Sequence, residues 1–214
     1  MPHATASTKS SSVELTGKQV ELEGTRTVLL VGVGGQGTIL ASKILTIGLI
    51  GHGYDVKMSE VHGMSQRGGS VSTQVRFGSQ VYSPIIGEGS ADVLVAFEEM
   101  EAARYARFLK KDGKMVVNTA QIPSLPVLSG DCPYPQGIVE ELKKHVPVWA
   151  FDATKVASDL GNPKSANVVL LGALIEALGL HDIDWRGIIA KTVKSAFVDI
   201  NLKAFDAGVA AARQ

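Results

Sequence analysis

Apolar residues recur along the chain with two spacings, and each spacing predicts one kind of secondary structure. Continuous or alternating apolar runs, many of them rich in β-branched residues, predict strands. Seven segments have this pattern: 27–31, 54–59, 71–77, 80–85, 92–97, 114–118 and 146–152. Gly78 and Ser79 lie between the third and the fourth of these segments, and they predict a hairpin turn.

Segments whose apolar residues return every three to four positions predict helices. Seven segments have this spacing: 38–51, 98–109, 138–144, 154–160, 165–178, 185–194 and 197–212. Ser165 is the predicted N-cap of the fifth helix, and Gly179 is its predicted C-cap. Glu98 and Glu99 are expected to open the second helix, where carboxylates complement the helix dipole.

Strands and helices alternate over most of the chain, which predicts an α/β fold. We expect one Rossmann-like three-layer domain over residues 27–214, with a mostly parallel sheet, an antiparallel hairpin and C-terminal helices. Ser, Thr and charged residues dominate 1–26, so this segment is expected to be a flexible N-terminal tail, with a short edge hairpin over 13–22 as the alternative. Four prolines within 119–137 predict a long surface loop or a strap that binds a partner.

The composition excludes several classes of function. The 214 residues include 21 basic and 21 acidic side chains, so net charge gives no reason to bind nucleic acid or an anionic membrane. No apolar run approaches the roughly 18–20 residues of a membrane span. Cys132 is the only cysteine, which excludes an intrachain disulfide, a cysteine-based zinc site and a four-thiolate iron–sulfur cluster. We therefore expect a cytoplasmic protein that contacts neither nucleic acid nor membrane.

A glycine-rich turn is predicted directly after the first strand, where GVGGQG at 32–37 has the spacing G-x-G-x-x-G. Glycines at this spacing allow a tight turn and a close approach of an anion to the N-terminus of the following helix. A tight turn without any ligand is the alternative. The candidate cofactor-binding residues of this turn are Gly32, Gly34, Gly35, Gln36 and Gly37.

A second candidate segment, EVHGMSQRGG, occupies 60–69. Glu60 lies where a dinucleotide site has the acidic residue that binds a ribose, or it orients His62 or is simply exposed. His62 is a possible proton-transfer group, with a hydrogen-bonded loop histidine as the alternative. Arg67 suits capture of a phosphate or carboxylate, or it stabilises the loop through backbone carbonyls. The candidate binding residues here are Glu60, His62, Gln66, Arg67, Gly68 and Gly69.

Two asparagines near the fifth helix complete the candidate set. Asn162 belongs to the turn GNP that precedes the helix, and Asn167 lies one turn inside it on an otherwise apolar face. A buried amide needs hydrogen-bond partners, so Asn167 is expected to hold a loop or to face a partner subunit, with a satisfied core amide as the alternative. No complete catalytic constellation is recognisable, and the catalytic residues stay unassigned.

These segments, taken in order, resemble the motifs of a known family. GVGGQG and EVHGMSQRGG are followed by VRF at 75–77, YSP at 82–84 and GNPKSAN at 161–167. This series resembles the γ-type domain of the 2-oxoacid:ferredoxin oxidoreductases, and its EVHGM part is most similar to the β subunits of the indolepyruvate branch. The resemblance covers roughly residues 27–180.

The resemblance implies a subunit rather than a complete enzyme. It implies oxidative decarboxylation of indolepyruvate or another aryl pyruvate to an acyl-CoA and CO2, with ferredoxin as the electron acceptor. It also implies a larger α subunit that carries thiamine diphosphate and [4Fe–4S] clusters, in agreement with the single cysteine here. Coenzyme A is a candidate ligand of this subunit itself. A free-standing NAD(P)-dependent Rossmann reductase and a non-catalytic binding module are the alternatives.

Overall fold

A computed structural model of the chain describes residues 24–62, with only the backbone of His62, and residues 68–213. The strands of this part are β1 (Thr25–Val33), β2 (Asp55–His62), β3 (Ser70–Gly78), β4 (Ala91–Ala96), β5 (Leu109–Asn118) and β6 (Val148–Phe151). Its α-helices are α1 (Thr38–Gly51), α2 (Glu99–Tyr105), α3 (Leu125–Leu128), α4 (Ile138–Lys143), α5 (Ala153–Asp159), α6 (Ala166–Leu178), α7 (Trp185–Thr192) and α8 (Val198–Ala211).

The strands form one sheet in the order β2-β3-β1-β4-β5-β6. β1, β4, β5 and β6 pair in parallel, whereas β3 lies antiparallel between β2 and β1. The predicted fold class, a mostly parallel α/β sheet with an antiparallel hairpin and C-terminal helices, is confirmed.

Helices cover both faces of the sheet, which explains why its central strands are apolar throughout. Val28 and Leu30 of β1 face a cluster that includes α1 and α6, while Leu29 and Val31 face a second cluster that includes α2. After β1 the chain therefore continues into α1 on one face of the sheet, and after β4 it continues into α2 on the other face. This divergence opens a crevice at the carboxyl ends of these two strands.

Helix α6 is the most deeply buried helix of the cluster that includes α1. α8 crosses α6 at a point where each helix has a glycine, so that the two backbones are in direct contact. A Cβ atom on Gly172 would lie 2.2 Å from the carbonyl oxygen of Phe205, and one on Gly208 would lie 1.8 Å from that of Val169. Glycine is therefore required on both helices. At its C-terminal end α6 accepts a hydrogen bond, since Arg26 Nη1 at the start of β1 donates to the carbonyl of Leu178 at 3.1 Å.

The predicted strand 80–85 is wrong, because residues 79–90 form no strand. β3 already pairs with β2 on one edge and with β1 on the other, so no edge is free for a further partner. The antiparallel hairpin is formed by β2 and β3 instead. β2 also continues to His62, into the segment that the sequence predicts to be a loop.

The second predicted helix is shorter than expected, since α2 ends at Tyr105 and a 3-10 turn covers 106–108 before β5 begins. Residues 111–113, between the predicted second helix and the strand predicted at 114–118, lie within β5 as an irregularity. β5 advances from Leu109 to Lys114 while β4 advances only from Ala91 to Val93, so extra residues bulge out of the ladder.

The first strand also begins earlier than predicted. β1 begins at Thr25 rather than at 27, because Thr25 and Arg26 pair with Gly78 and Phe77 of β3. Residues 1–23 of the predicted tail, which include its alternative hairpin, lie outside the described residues. The segment 119–137 is irregular apart from α3, as its prolines predict. None of the helices formed by the described residues is long and apolar enough to cross a bilayer.

Candidate functional site

The main candidate site is a cleft of about 760 Å³ at the carboxyl ends of β1, β4 and β5. It lies where α1 and α2 leave the sheet toward opposite faces, the position at which open α/β sheets bind their ligands. Its lining combines apolar and polar side chains. Leu40, Phe97, Ile122 and Leu170 supply apolar surface, and the polar side chains are Gln36, Asn118, Gln121, Thr154, Lys164 and Asn167.

The glycine turn forms one wall of this cleft and leads directly into α1. Gly35 and Gly37 have backbone φ angles of +108° and +82°, which residues other than glycine rarely adopt. A Cβ atom on Gly32 would lie 2.9 Å from both Gln36 Oε1 and Phe97 Cβ, so packing also requires glycine there. Gly37 is the N-cap of the 14-residue helix α1, and no side chain in the described part of the chain caps this helix. The free amides of the first turn therefore favour an anion at this end of the cleft.

Gln36 is a predicted cofactor-binding residue, but its side chain connects two strands. Its Oε1 accepts a hydrogen bond from the N–H of Val33 at 2.7 Å, and its Nε2 donates to the carbonyl of Phe97 at 2.7 Å. Asn118 Nδ2 donates to the same carbonyl at 3.0 Å, while its Oδ1 accepts from the N–H of Ala153 at 2.9 Å. The two amides thus fix the ends of β1, β4 and β5 relative to one another.

Asn118 is missing from the sequence-based candidates. It closes a strand, and only the order of the strands places it beside Phe97. Lys164 is also missing from these candidates. A single exposed lysine in a turn does not indicate a function by itself, and only the packing of α6 against α1 brings it to the cleft.

Asn167 lines the cleft and is 4% exposed. Its Nδ2 donates to the carbonyl oxygen of Gly37 at 3.2 Å, so this residue holds the glycine turn, one of the two roles expected of it. Its Oδ1 has no hydrogen-bond donor among the described residues. A Cβ atom on Gly37 would lie 2.6 Å from Asn167 Nδ2, which makes the contact dependent on glycine.

The turn before α6 differs from its prediction. Residues 163–165 form a 3-10 turn, and Asn162 caps it by accepting the N–H of Lys164 at 3.1 Å. Ser165 occupies the N-cap position of α6 without capping it, since its hydroxyl donates to the carbonyl of Asn162 at 2.7 Å. Because of this extra turn, Asn162 rather than Ser165 is the capping residue, and its hydrogen bond fixes the backbone of Lys164.

The two glycine-rich segments meet through their backbones. The N–H of Gly34 donates to the carbonyl of Gly69 at 2.8 Å, and the N–H of Gly68 donates to the carbonyl of Gly34 at 3.3 Å. The end of the 60–69 segment therefore packs on the glycine turn. The side chains of His62, Gln66 and Arg67 lie outside the described residues, and their predicted roles stay predictions.

Glu60 lies on β2, which β3 separates from β1. Two strand spacings amount to about 10 Å. In a dinucleotide site the acidic residue follows the strand next to β1, where it reaches the ribose. The strand order therefore favours a ligand other than a nicotinamide dinucleotide at this glycine turn.

A cluster of buried carboxylates lies at the start of α2 and contacts the segment 119–137. Glu98 is 1% exposed and caps α2 by accepting the N–H of Glu101 at 2.9 Å, as its predicted role in opening the helix requires. It also accepts the N–H of Ile122 at 3.1 Å and the hydroxyl of Tyr134 at 2.5 Å. Burial, followed by the hydrogen bond to Glu98, raises the pKa of Tyr134 above that of an ordinary tyrosine. No group of three or more His, Cys, Asp or Glu in the described part could hold a metal ion.

Comparison with known proteins gives one consistent result. Residues 27–211 match the family model of pyruvate ferredoxin/flavodoxin oxidoreductase. The chain is 43% identical to indolepyruvate oxidoreductase subunit IorB of Pyrococcus horikoshii over 87% of this chain and 96% of that one. It is 40% identical to the subunit of the same name from Archaeoglobus fulgidus, over 85% and 92% of the two chains. The solved γ subunit of a keto/oxoacid ferredoxin oxidoreductase from Geobacter sulfurreducens has a TM-score of 0.64 and 26% identity, covering 88% of this chain and 98% of that one.

Proposed function

This chain belongs to the pyruvate ferredoxin/flavodoxin oxidoreductase family as a subunit of a heteromeric oxidoreductase, and we propose that it serves an enzyme that acts on indolepyruvate and related aryl pyruvates. In this proposal a larger α subunit carries thiamine diphosphate and [4Fe–4S] clusters, and ferredoxin takes the electrons. The similarity to indolepyruvate oxidoreductase subunits over most of both chains supports this assignment.

The role proposed for this chain is to hold coenzyme A for acyl transfer. The observation that carries this role is the composition of the cleft at the glycine turn. Its lining contains the N-terminal end of α1, whose amides are uncapped, together with one lysine. The described residues of the lining include no carboxylate. Lys164 is the charged residue of this lining. Such a site favours phosphate groups, because helix N-termini and ammonium groups both stabilise negative charge.

The residues of this chain do not fit an iron–sulfur cluster. Cys132 is the only cysteine in the sequence and is exposed, whereas a cluster needs about four thiolates. Thiamine diphosphate would supply the decarboxylation chemistry on the partner subunit. In this chain the glycine turn and Lys164 hold anionic phosphates, and Gln36 and Asn118 keep the three strand ends in place around them.

The proposal is tested by purifying the chain alone and together with its partner subunit. We expect the isolated chain to contain no stoichiometric iron and to show no dye reduction with indolepyruvate, whereas the complex shows both iron and coenzyme A-dependent turnover. Stoichiometric iron and turnover in the isolated chain would overturn the subunit assignment.

A charge substitution tests the coenzyme A role in the complex. Lys164→Ala should raise the KM for coenzyme A about tenfold, the effect of losing roughly 1.4 kcal/mol of charged hydrogen bonding. The KM for indolepyruvate should not change. Lys203→Ala, which removes an exposed lysine from α8, is the matched control. An unchanged KM for coenzyme A in the Lys164 variant would remove the ligand from this cleft.

A further inference from the structure

Helix α1 is apolar on its outer face as well as on its inner face. Its inner side chains pack in the hydrophobic cluster that it shares with α6. Four side chains are exposed on the opposite side, and three of them are isoleucines: Ile39, Ile47 and Ile50 are 52%, 41% and 52% exposed. The fourth is Lys43, the one charged residue of the helix. A helix that is apolar all round is stable in water only when another surface covers it.

Other surface helices of the chain have charged outer faces. The exposed side chains of α4 are those of Glu140, Glu141 and Lys143, and α5 exposes Lys155 and Asp159 together with a serine. Helix α6, which is almost entirely apolar, is covered by α8. α1 therefore has the composition of a covered helix, although no described element covers its outer face.

The edge strand β2 continues this apolar surface. Sδ of Met58 lies 3.7 Å from the hydroxyl oxygen of Thr46 on α1, and Met58 is 40% exposed. β2 has eight residues and stands at one end of the strand order, so its outer edge has no strand neighbour in the described part of the chain. The opposite edge strand, β6, has only four residues. A long edge strand with exposed apolar side chains is normally protected, and a bound partner provides such protection.

Helix and strand together form one surface, which we call the α1 face. It consists of the exposed apolar side chains and the lysine among them: Ile39, Lys43, Ile47, Ile50 and Met58. A groove of about 440 Å³ between α1 and α7 adjoins it at Ile47.

Lys43 indicates the chemistry of the partner. It lies between Ile39 and Ile47 on the α1 face, and among the described residues no carboxylate forms an ion pair with it. A second copy of this chain fits poorly, because a two-fold axis near the middle of α1 would bring two Lys43 ammonium groups together. A carboxylate from a different chain neutralises the lysine, and this chain is a subunit of a heteromeric oxidoreductase.

We propose that the α1 face binds a partner subunit of the oxidoreductase, through an apolar patch on that subunit that carries a carboxylate opposite Lys43. The groove beside Ile47 receives an apolar side chain of the same patch. The α1 face begins at the glycine turn, since Ile39 directly precedes Leu40 of the cleft lining. The bound partner therefore reaches the mouth of the cleft. This inference requires a partner subunit, but it does not require that the cleft binds coenzyme A.

A substitution in the assembled complex tests the apolar contact. Ile47→Glu should raise the Kd for association with the partner subunit about 30-fold or more, the effect of losing a central interface residue. Sedimentation velocity over a dilution series measures this Kd. Ile85→Glu is the matched control and should leave the Kd unchanged, because Ile85 is 61% exposed and its neighbour Ile86 packs on the opposite face of the sheet.

Two results of this experiment would overturn the proposal: an unchanged Kd for Ile47→Glu, or equal rises in Kd for both glutamate variants. Ile50→Gln introduces no charge at a more exposed position of the same face. It gives the same comparison with the control if Ile47→Glu does not fold.

Zero-length cross-linking of the wild-type complex identifies what Lys43 contacts. A carbodiimide joins a lysine to a carboxylate only where the two groups touch, and mass spectrometry identifies the linked peptides. We expect Lys43 to be linked to an acidic residue of the partner subunit. Lys155 and Asp159, whose charged atoms are 2.8 Å apart, provide the positive control within this chain.

Other cross-linking results contradict the proposal. A link from Lys43 to another copy of this chain would make the α1 face an interface between identical chains. A complex in which Lys155 is linked to Asp159 but Lys43 is linked to nothing would place the partner elsewhere.

The outcomes also separate this inference from the proposed function. A complex that assembles through the α1 face but binds no coenzyme A would overturn only the coenzyme A role. A complex that binds coenzyme A and keeps its partner equally well in Ile47→Glu would overturn only the role of the α1 face. A chain that associates only with itself would overturn the heteromeric assignment together with this inference.

Discussion

The hydroxyl of Tyr134 donates a hydrogen bond to Oε1 of Glu98 at 2.5 Å and accepts one from the N–H of Met100 at 3.1 Å. Glu98 also accepts the N–H of Ile122, so one buried carboxylate binds the segment 119–137 at two points. This segment carries Ile122 into the wall of the cleft. The shape of the cleft therefore depends on a contact between residues 36 positions apart in the chain.

Tyr134→Phe should reduce the free energy of unfolding at pH 8 by about 1.5–3 kcal/mol, because it removes a hydrogen bond to a buried carboxylate. Urea denaturation followed by circular dichroism measures the change. Tyr82→Phe is the matched control, since Tyr82 is 86% exposed and its loss should change the free energy by less than about 0.5 kcal/mol. Equal effects of the two substitutions would contradict a role for the Tyr134 contact.

The same pair of residues predicts a dependence on alkaline pH. The pKa of Tyr134 is raised in the folded chain, so its stabilising effect is complete below the unfolded tyrosine pKa of about 10 and is lost as pH rises further. The difference in unfolding free energy between wild type and Tyr134→Phe should therefore shrink between about pH 9 and about pH 11.5. A difference that grows over this range would show that the folded state favours the phenolate.

Substitutions at Gly35 test the backbone of the glycine turn. Gly35 has a φ of +108° and open space around its missing Cβ, so alanine is disfavoured by backbone strain of about 1–2 kcal/mol rather than by a clash. Gly35→Val should lower the free energy of unfolding more than Gly35→Ala does, since the branched side chain of valine restricts the backbone further. It should also raise the Kd for coenzyme A more than the alanine variant. Gly51→Ala, with equal space but without a positive φ, should be neutral or stabilising by up to about 1 kcal/mol. Identical denaturation curves for Gly35→Ala and Gly51→Ala would contradict the strained turn.

The glycine contact between α6 and α8 predicts a strong effect of a single methyl group. Gly208→Ala places a Cβ atom 1.8 Å from the carbonyl oxygen of Val169, so the helices must separate. We expect a loss of about 3 kcal/mol, at the upper end of overpacking effects. Differential scanning calorimetry should show a melting temperature several degrees below that of Gly51→Ala. Similar melting temperatures would mean that the crossing adjusts freely.

The sequence predicted the class of fold and most elements because periodicity and glycine caps act locally. The apolar run at 28–31, the glycine turn after it and Gly179 at the end of α6 are local signals of this kind. Strand order is not local, and this explains the wrong strand at 80–85. The insertion of β3 between β2 and β1 removed the edge that such a strand would need.

The candidate site was predictable in part for the same reason. The turn at 32–37 and Asn167 could be named because one has a motif and the other is an amide on an apolar helix face. Lys164 and Asn118 could not be named, since their importance arises from the packing of α6 and from the neighbouring strand end. Gln36 was found by its motif, but only its contacts show that it joins strands.

Helix α6 holds both ends of β1. The carbonyl of Leu178 accepts from Arg26 where the strand begins, and Asn167 donates to Gly37 just after the strand ends. The 13 residues of α6 span about 20 Å, and α8 locks this helix from the side through Gly172 and Gly208. The glycine turn is therefore part of the same cooperative folding unit as the central strand, so we expect its hydrogen-bonded amides, those of Gly34 and Gln36, to exchange hydrogen only when the whole core opens.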